Sequence, residues 1–547
     1  MLQGLMQDDF PLTLQHVLRR MREVYRGSRV ATLTDDGVTR ASYAEVTERV
    51  DRLCRALESL GVGEGDRVAT FAWNSQRHLE VYLAAPCMGA VLHTVNVRLF
   101  PDQVAYIVNH AKDRVVLVDD SLVPVLEKVA PKLETVERYV VMGDGDAGSL
   151  PNALRYEELL AEQPEGYDYP LLDERQAAGL CYTSGTTGNP KGALYSHRSY
   201  FLHSMASCMT ENLDLRNSDR VLPVVPMFHV NAWGLPYSSS MVGADLVMPG
   251  RFLQAEPLAK LIESERVTVA AGVPTIWEGL LRYADEHEPD LSSIRLNIVG
   301  GSAASRALME GFDRHGVSIV QAWGMTETNP LGAVAHPPVD SEGEERWYYR
   351  VKQGRLVPGI EARIVSDDGQ EAAWDGEATG ELQVRGPWVA RSYYEEPGED
   401  DKFEDGWFRT GDICTIDREG FMKITDRTKD VIKSGGEWIS SVDLELEIMA
   451  HPDVAEAAVI SKPDERWDER PLACVVLVDG ASASAEQIND HLSSRVARFW
   501  IPDEYAFIDE VPKTATGKFD KKVLRKRLED DELPERVTVE APRAPAP

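Results

Sequence analysis

Tyr182 to Gly192 (YTSGTTGNPKG) gathers the hydroxyls of Thr183, Ser184, Thr186 and Thr187, the glycines Gly185, Gly188 and Gly192, and the ammonium of Lys191. Glycine lets the backbone turn so that successive N–H groups aim at one anion, and the hydroxyls and lysine add donors. The chemistry this predicts is a cradle for a polyphosphate. The segment before it, Ala177 to Cys181 (AAGLC), reads as a short buried strand, and helical spacing begins near His197. The cradle is not a Walker loop, which needs G-x-x-x-x-G-K-[ST]. Counted from Gly185, Pro190 stands where the second glycine belongs, and Lys191 is followed by Gly192.

The run resembles the phosphate loop of the adenylate-forming superfamily, which holds acyl-CoA synthetases, luciferases and the adenylation domains of peptide synthetases. Further motifs follow in that family's order. Gln321 to Thr328 (QAWGMTET) resembles its strand-to-turn motif. The resemblance implies that Trp323 stacks on adenine, that Thr326 binds the α-phosphate, and that Glu327, with Thr183, holds Mg²⁺. Gln321, Ala322, Gly324 and Met325 then belong to the same nucleotide site. A hard cation bridging phosphates takes a carboxylate oxygen, in keeping with Glu327. The family more often has tyrosine at position 323, and another flat aromatic keeps the stacking. Val299 to Ala304 (VGGSAA) resembles the glycine-rich wall of the adenine and acyl sites, through Gly300, Gly301 and Ser302. Asp412, in WFRTGDI, is implied to grip the ribose hydroxyls, and Arg427 to be the second ribose contact.

Four segments carry the rest of the implied reaction. Lys518, in PKTATGKFDKK, matches the family's catalytic lysine, working with Thr183 and Glu327. Asp426 to Asp430, with Lys429, resembles its hinge. Lys433 to Trp438 (KSGGEW, with Gly435) resembles the face presented to the site for CoA after rotation. Val225 to Trp233 (VPMFHVNAW), read as following a helix, is implied by the resemblance to form the acyl pocket through His229, Val230 and Trp233, together with Gly300 and Gly301. The whole chain most resembles the medium- and long-chain fatty acyl-CoA synthetase branch, in which the tryptophan at this place gates the acyl tunnel.

The elements that must hold these residues alternate between helix and strand. Leu14, Val17, Leu18, Met21 and Val24 repeat at helical spacing and stop at Gly27, and Ser42 to Glu45 is a capping box opening a helix that ends at Gly61. Arg67 to Ala72, Arg114 to Val118, Val267 to Val273, Leu296 to Val299 and Ser318 to Gln321 read as strands, so an α/β fold with parallel or mixed sheets is expected. Short strands between Gly354 and Val384 suggest a barrel-like subdomain. The expected domains are a large N-terminal one over 1–425, the hinge at 426–430, a small mobile α+β domain over 431–540, and a disordered tail at 541–547. GDGDAG at Gly143 to Gly148 fits G-x-G-x-x-G, but Asp144 and Asp146 would repel phosphate and Pro151 follows where a helix should open, so it reads as a turn.

Six cysteines are scattered without a C-x-x-C pair, which argues for a reducing compartment and against a disulfide framework or structural zinc. No stretch is long and apolar enough to span a bilayer, and a cytoplasmic enzyme is expected. A net charge of −32 disfavours nucleic acid and anionic lipid as partners. Lys513, Lys521, Lys522, Arg525, Lys526 and Arg527 around Lys518 read as a solvated basic face. The resemblance implies a homodimer, and the stretch before Gly27 is apolar enough to pack on a partner. The activity expected is an ATP-dependent carboxylate–CoA ligase forming AMP and pyrophosphate through an acyl-adenylate. The alternative substrates are a short or unusual acid, such as a methylthio-propionate or an arylalkanoate. Other readings are a CoA-independent adenylating enzyme and a noncatalytic nucleotide-binding protein. The latter is disfavoured because Glu327, Asp412 and Lys518 are all present.

Overall fold

The computed structural model describes residues 2–539 except 3, 8, 184–188, 367, 397–399, 435–436, 465 and 515–518. Three sheets organise the described residues. In the first, strands Ala153–Arg155, Arg138–Met142, Asp113–Asp119, Arg67–Phe71, Val91–Thr94 and Ala177–Tyr182 run parallel in that spatial order. Gly192–Ser196 closes its edge antiparallel to Ala177–Tyr182. The phosphate-loop segment therefore joins two strands of a hairpin, and the helix His197–Ser207 starts only after the second. The second sheet runs parallel through Arg29–Thr34, Asp245–Met248, Arg220–Pro223, Val269–Gly272, Leu296–Val299 and Ile319–Gly324. Ile319–Gly324 then pairs antiparallel with Leu331–Val334, and the antiparallel section expected from the glycine and proline turns continues from there.

Parallel strands covered by helices are buried on both faces and read as apolar runs, as in RVVLV and LNIV. The helix Tyr43–Ser59 shows why the local rules work. Ser42 accepts from the Glu45 N–H and Glu45 reaches back to the Ser42 N–H, while Val46, Val50, Leu53 and Leu57 are buried together. The helix Gln15–Glu23 buries Val17, Leu18 and Met21 in the chain's own core beside Leu14 and leaves Val24 exposed. Most of the apolar stretch before Gly27 is thus used within one chain.

Residues from Ile432 onward build the third sheet around the hairpin Val454–Asp464 and Asp468–Leu477, with helices Ser441–Met449 and Ala485–Leu492 on it. This smaller C-terminal unit is α+β. Residues 143–148 form a bend tied by the Gly145 N–H to Asp120, not a helix start. The acyl segment corrects the expectation in one respect: it follows strand Arg220–Pro223 directly, because the helix lies further back, at His197–Ser207. The basic face is corrected in part as well. Lys521 is buried and pairs with Glu445 at 2.7 Å, and Arg525 pairs with Asp430. No helix among the described residues is long and apolar enough to cross a membrane.

Candidate active site

Ligands of open α/β sheets bind beyond the carboxyl ends of the strands, and five strand ends converge here. Tyr182 leads to Thr183, Pro223 to His229, Gly272 to Pro274, Val299 to Gly300, and Gly324 to Thr326. These segments line one cavity of about 600 Å³. The structure thereby brings together Thr183, Lys191, His229, Val230, Trp233, Gly300, Gly301 and Ser302. On the facing strand and turn it adds Gln321, Ala322, Trp323, Gly324, Met325, Thr326 and Glu327, and from the antiparallel section Asp412, Asp426, Arg427 and Lys429. Lys433 and Trp438 do not line it; they stack on one another at 5.2 Å on the hairpin Ile432–Ser434 and Glu437–Ile439. Ser184, Gly185, Thr186, Thr187, Gly188, Gly435 and Lys518 lie outside the described residues. Thr514 and Phe519, which flank Lys518 in the chain, do line the cavity.

The two ends of the phosphate-loop segment are held together. The Thr183 N–H donates to the Lys191 carbonyl at 2.8 Å, and the Lys191 N–H donates to Thr183 Oγ1 at 3.1 Å. The Lys191 ammonium lies 5.3 Å from the ring centre of Tyr393, whose hydroxyl donates to Glu327 Oε1 at 2.6 Å. The Ala390 N–H donates to the Glu327 carbonyl, and the Tyr394 N–H to that of Gly192. The segment around Tyr393 is thus strapped across both motifs. Sequence reading missed Tyr393, which carried no signal beyond two adjacent tyrosines.

Asp412 is buried between two donors. Trp323 Nε1–H donates to its Oδ2 at 2.9 Å, and Arg427 Nε sits 2.7 Å from its Oδ1. Strand pairing sets this up, since Asp412 and Arg427 are direct cross-strand neighbours. Asp412 beside it also holds the Arg427 pKa above its ordinary value. The Trp323 ring packs against Gly332, where a Cβ would stand 2.3 Å from Trp323 Cζ3. Gln321 serves the frame: its amide accepts from the Ala304 N–H and donates to the carbonyls of Arg350 and Lys352.

Val230, Asn231, Ala232 and Trp233 all have positive φ, a left-handed turn that costs about 1–2 kcal/mol per non-glycine residue. The turn sets the half-buried Trp233 ring against Gly300, where an added Cβ would stand 3.2 Å from Trp233 Cη2. On the far side of the cavity, burial pushes the Asp426 carboxyl up and the Lys429 ammonium down from their ordinary pKa values, and Glu445 is pushed up to about 7 by its burial.

Comparison with known proteins follows this geometry. The family model described as AMP-binding enzyme matches residues 21–394, and that described as AMP-binding enzyme C-terminal domain matches residues 443–518. The medium-chain-fatty-acid–CoA ligase of Ectopseudomonas oleovorans is 45% identical over 516 residues, 92% of this chain and 94% of its own length. The 3-methylmercaptopropionyl-CoA ligase of Ruegeria pomeroyi is 45% identical over 508 residues, 91% of this chain and 93% of its own. Among solved structures, the anthranilate CoA ligase AuaEII in complex with anthranoyl-AMP matches with a TM-score of 0.87 at 28% identity, over 96% of this chain and 99% of that one.

Proposed function

The chain belongs to the AMP-binding enzyme family and is an AMP-forming acid–CoA ligase; we propose that its acid is a fatty acid of medium or long chain. The observation that carries this is one cavity shared by two chemistries. Thr183, Glu327, Asp412 and Arg427 offer donors and carboxylates suited to a nucleotide, and Trp233 against Gly300 offers an apolar wall beside them. The Ectopseudomonas oleovorans relative, named for medium-chain fatty acids, supports the same reading.

In the first step a carboxylate oxygen of the acid attacks the α-phosphorus of ATP, and the bond to the leaving pyrophosphate breaks. Lys191 and Lys518 neutralise charge that grows on the phosphate oxygens, while Asp412 and Arg427 hold the ribose. This is positioning and electrostatics, with no covalent protein intermediate. In the second step the CoA sulfur attacks the acyl carbon, AMP leaves with the bonding electrons, and the thiol proton is lost. Rotation of 431–540 about 426–430 lets one site serve both steps. Among the described residues no cluster of three or more His, Cys, Asp or Glu forms a metal cage. Mg²⁺ is held by one or two carboxylates together with substrate phosphates, and the Glu327 carboxylate and Thr183 both line the cavity. Glu327 and Thr183 would hold it, and when bound it supplies positive charge to the phosphate oxygens.

A panel of acids of increasing length, together with methylthio-propionate and an arylalkanoate, read by pyrophosphate release at saturating ATP and CoA, tests the substrate. The optimum is expected among the medium or long acids. An optimum at methylthio-propionate would move the assignment to the second reading, which the equally similar Ruegeria pomeroyi relative favours. We also place the enzyme in the cytoplasm, in keeping with its six free cysteines, and as a homodimer joined through the exposed Leu2, Leu5 and Met6. Light scattering at micromolar concentration should return the dimer mass, and a monomer mass would end that assignment.

A further inference from the structure

Five successive residues, Val230 to Gly234, have positive φ, and only the last is glycine. The four others lie at φ 36°, 56°, 49° and 57°. L side chains avoid this region, a β-branched valine most of all. Such runs persist only where the surroundings over-determine them, and they gather at ligand clamps and switches.

Asn231, inside the run, is 1% exposed. Its Oδ1 accepts from the Tyr200 hydroxyl at 3.1 Å, and its Nδ2 donates to the Tyr82 hydroxyl at 3.2 Å. The Tyr82 hydroxyl donates onward to the carbonyl of Met227, just before the turn. Tyr237 packs on both rings, with centroids 4.9 Å from Tyr200 and 5.6 Å from Tyr82. The surroundings make room for this. A Cβ at Gly179 would stand 2.2 Å from the Tyr200 hydroxyl, and one at Gly234 would stand 2.4 Å from the His203 ring. Asparagine meets both local demands, because it tolerates the left-handed region and its amide can donate and accept at once. Val230 and Ala232 are buried beside it; Val230 and Trp233 both line the cavity, and Trp233, two residues on, is the half-buried aromatic that the turn sets there.

We infer that Asn231 is a positioning residue for acid selectivity: tied to Tyr200 and Tyr82, it fixes the left-handed turn and so where the Trp233 ring stands against Gly300 in the space the acyl chain must share. The inference rests on the reading of Trp233 as part of the acyl pocket. Asn231 touches no substrate and acts through Trp233.

The test compares Asn231→Gly, which keeps the backbone conformation and removes the amide, with Tyr200→Phe, which removes one partner from outside the cavity. Each is made in the native chain and in a Trp233→Ala background. The readout is kcat/KM across acids of increasing length, with the KM for ATP as control. In the native background both variants should change the ratio between long and short acids by roughly tenfold, the scale of discrimination one methylene gives in an apolar pocket. The KM for ATP should hold, and the change should vanish when Trp233 is alanine. Tyr200→Phe keeps the test available if Asn231→Gly does not fold. Folded variants with the native length profile, while Trp233→Ala alters it, would overturn the inference and leave the pocket reading standing. A change that persists without Trp233 would overturn it as well, and a native profile in Trp233→Ala itself would remove both.

Discussion

Asp412 joins the frame and the site in one carboxylate, since it accepts from Trp323 and Arg427 while lining the cavity. Asp412→Asn keeps the shape but turns an NH₂ toward those donors. Hydrogen bonds to charged groups are worth about 1.5–3 kcal/mol, so kcat/KM for ATP should fall roughly 10- to 100-fold, while the KM for the acid stays near its native value. Pyrophosphate release with each substrate varied in turn measures both, and equal losses on the two would count against a ribose role. Trp233→Ala separates a gate from a core residue. A gate predicts altered chain-length discrimination, whereas a core role predicts a loss of roughly 3–5 kcal/mol in stability with unchanged discrimination, which a melting curve and the acid panel resolve. The motif residues were legible because each sits in a dense local signature. Tyr393 and Lys521 were not, because their partners, Glu327 and Glu445, are remote in sequence and only the fold makes the pairs.

At the scale of elements, local rules located the helix Tyr43–Ser59 and four of the five strands ending at the cavity, Arg220–Pro223 being the exception, since capping and apolar runs are encoded within a few residues. They did not reveal the strand Gly192–Ser196, whose GALYS is no continuous apolar run, or the left-handed turn, because no glycine marks Val230 to Trp233. Helices bring a second consequence by burying His78, His197 and His203. His197 Nδ1 accepts the Leu14 N–H and His203 Nε2 accepts the Leu331 N–H, which a protonated ring could not do. Burial lowers their pKa values to about 4 for His78 and His197 and about 3 for His203. In the unfolded chain they take a proton near pH 6.5, so between there and about pH 4 the unfolded state binds more protons. Their stabilisation is full above about pH 6.5 and is lost as pH falls, with His78 alone contributing roughly 3 kcal/mol. Glu445, raised to about 7, acts in the opposite sense over part of that range. The melting temperature should drop as pH is lowered from about 7.5 to 4.5, and His78→Gln should flatten the slope. An unchanged slope would mean that the ring is protonated in the fold.

At the scale of the whole molecule, the C-terminal unit is fastened to the last strand of the larger part on one side of the cavity. Asp426 accepts from the Ser441 N–H at 2.7 Å and its hydroxyl at 2.6 Å, Lys423 pairs with Asp443 at 2.7 Å, and Arg525 pairs with Asp430. These contacts surround the segment 426–430, and the cavity takes Met449, Glu456, Thr514 and Phe519 from the smaller unit. A site built from two units can change its chemistry by moving one of them. An ammonium is costly to immobilise unless it meets an anion, and the adenylation transition state offers one. Removing a single preorganised donor of this kind typically costs roughly 10²–10³-fold in rate. If the smaller unit turns about 426–430 between the steps, Lys518 acts in the first and is absent from the second. Lys518→Ala should therefore cripple acyl-AMP formation from acid and ATP, yet make thioester from preformed acyl-AMP and CoA at a near-native rate. Single-turnover assays of the two halves measure this directly. Equal loss in both, in a variant that keeps the native melting temperature, would mean that one fixed arrangement of the two units carries out the whole reaction.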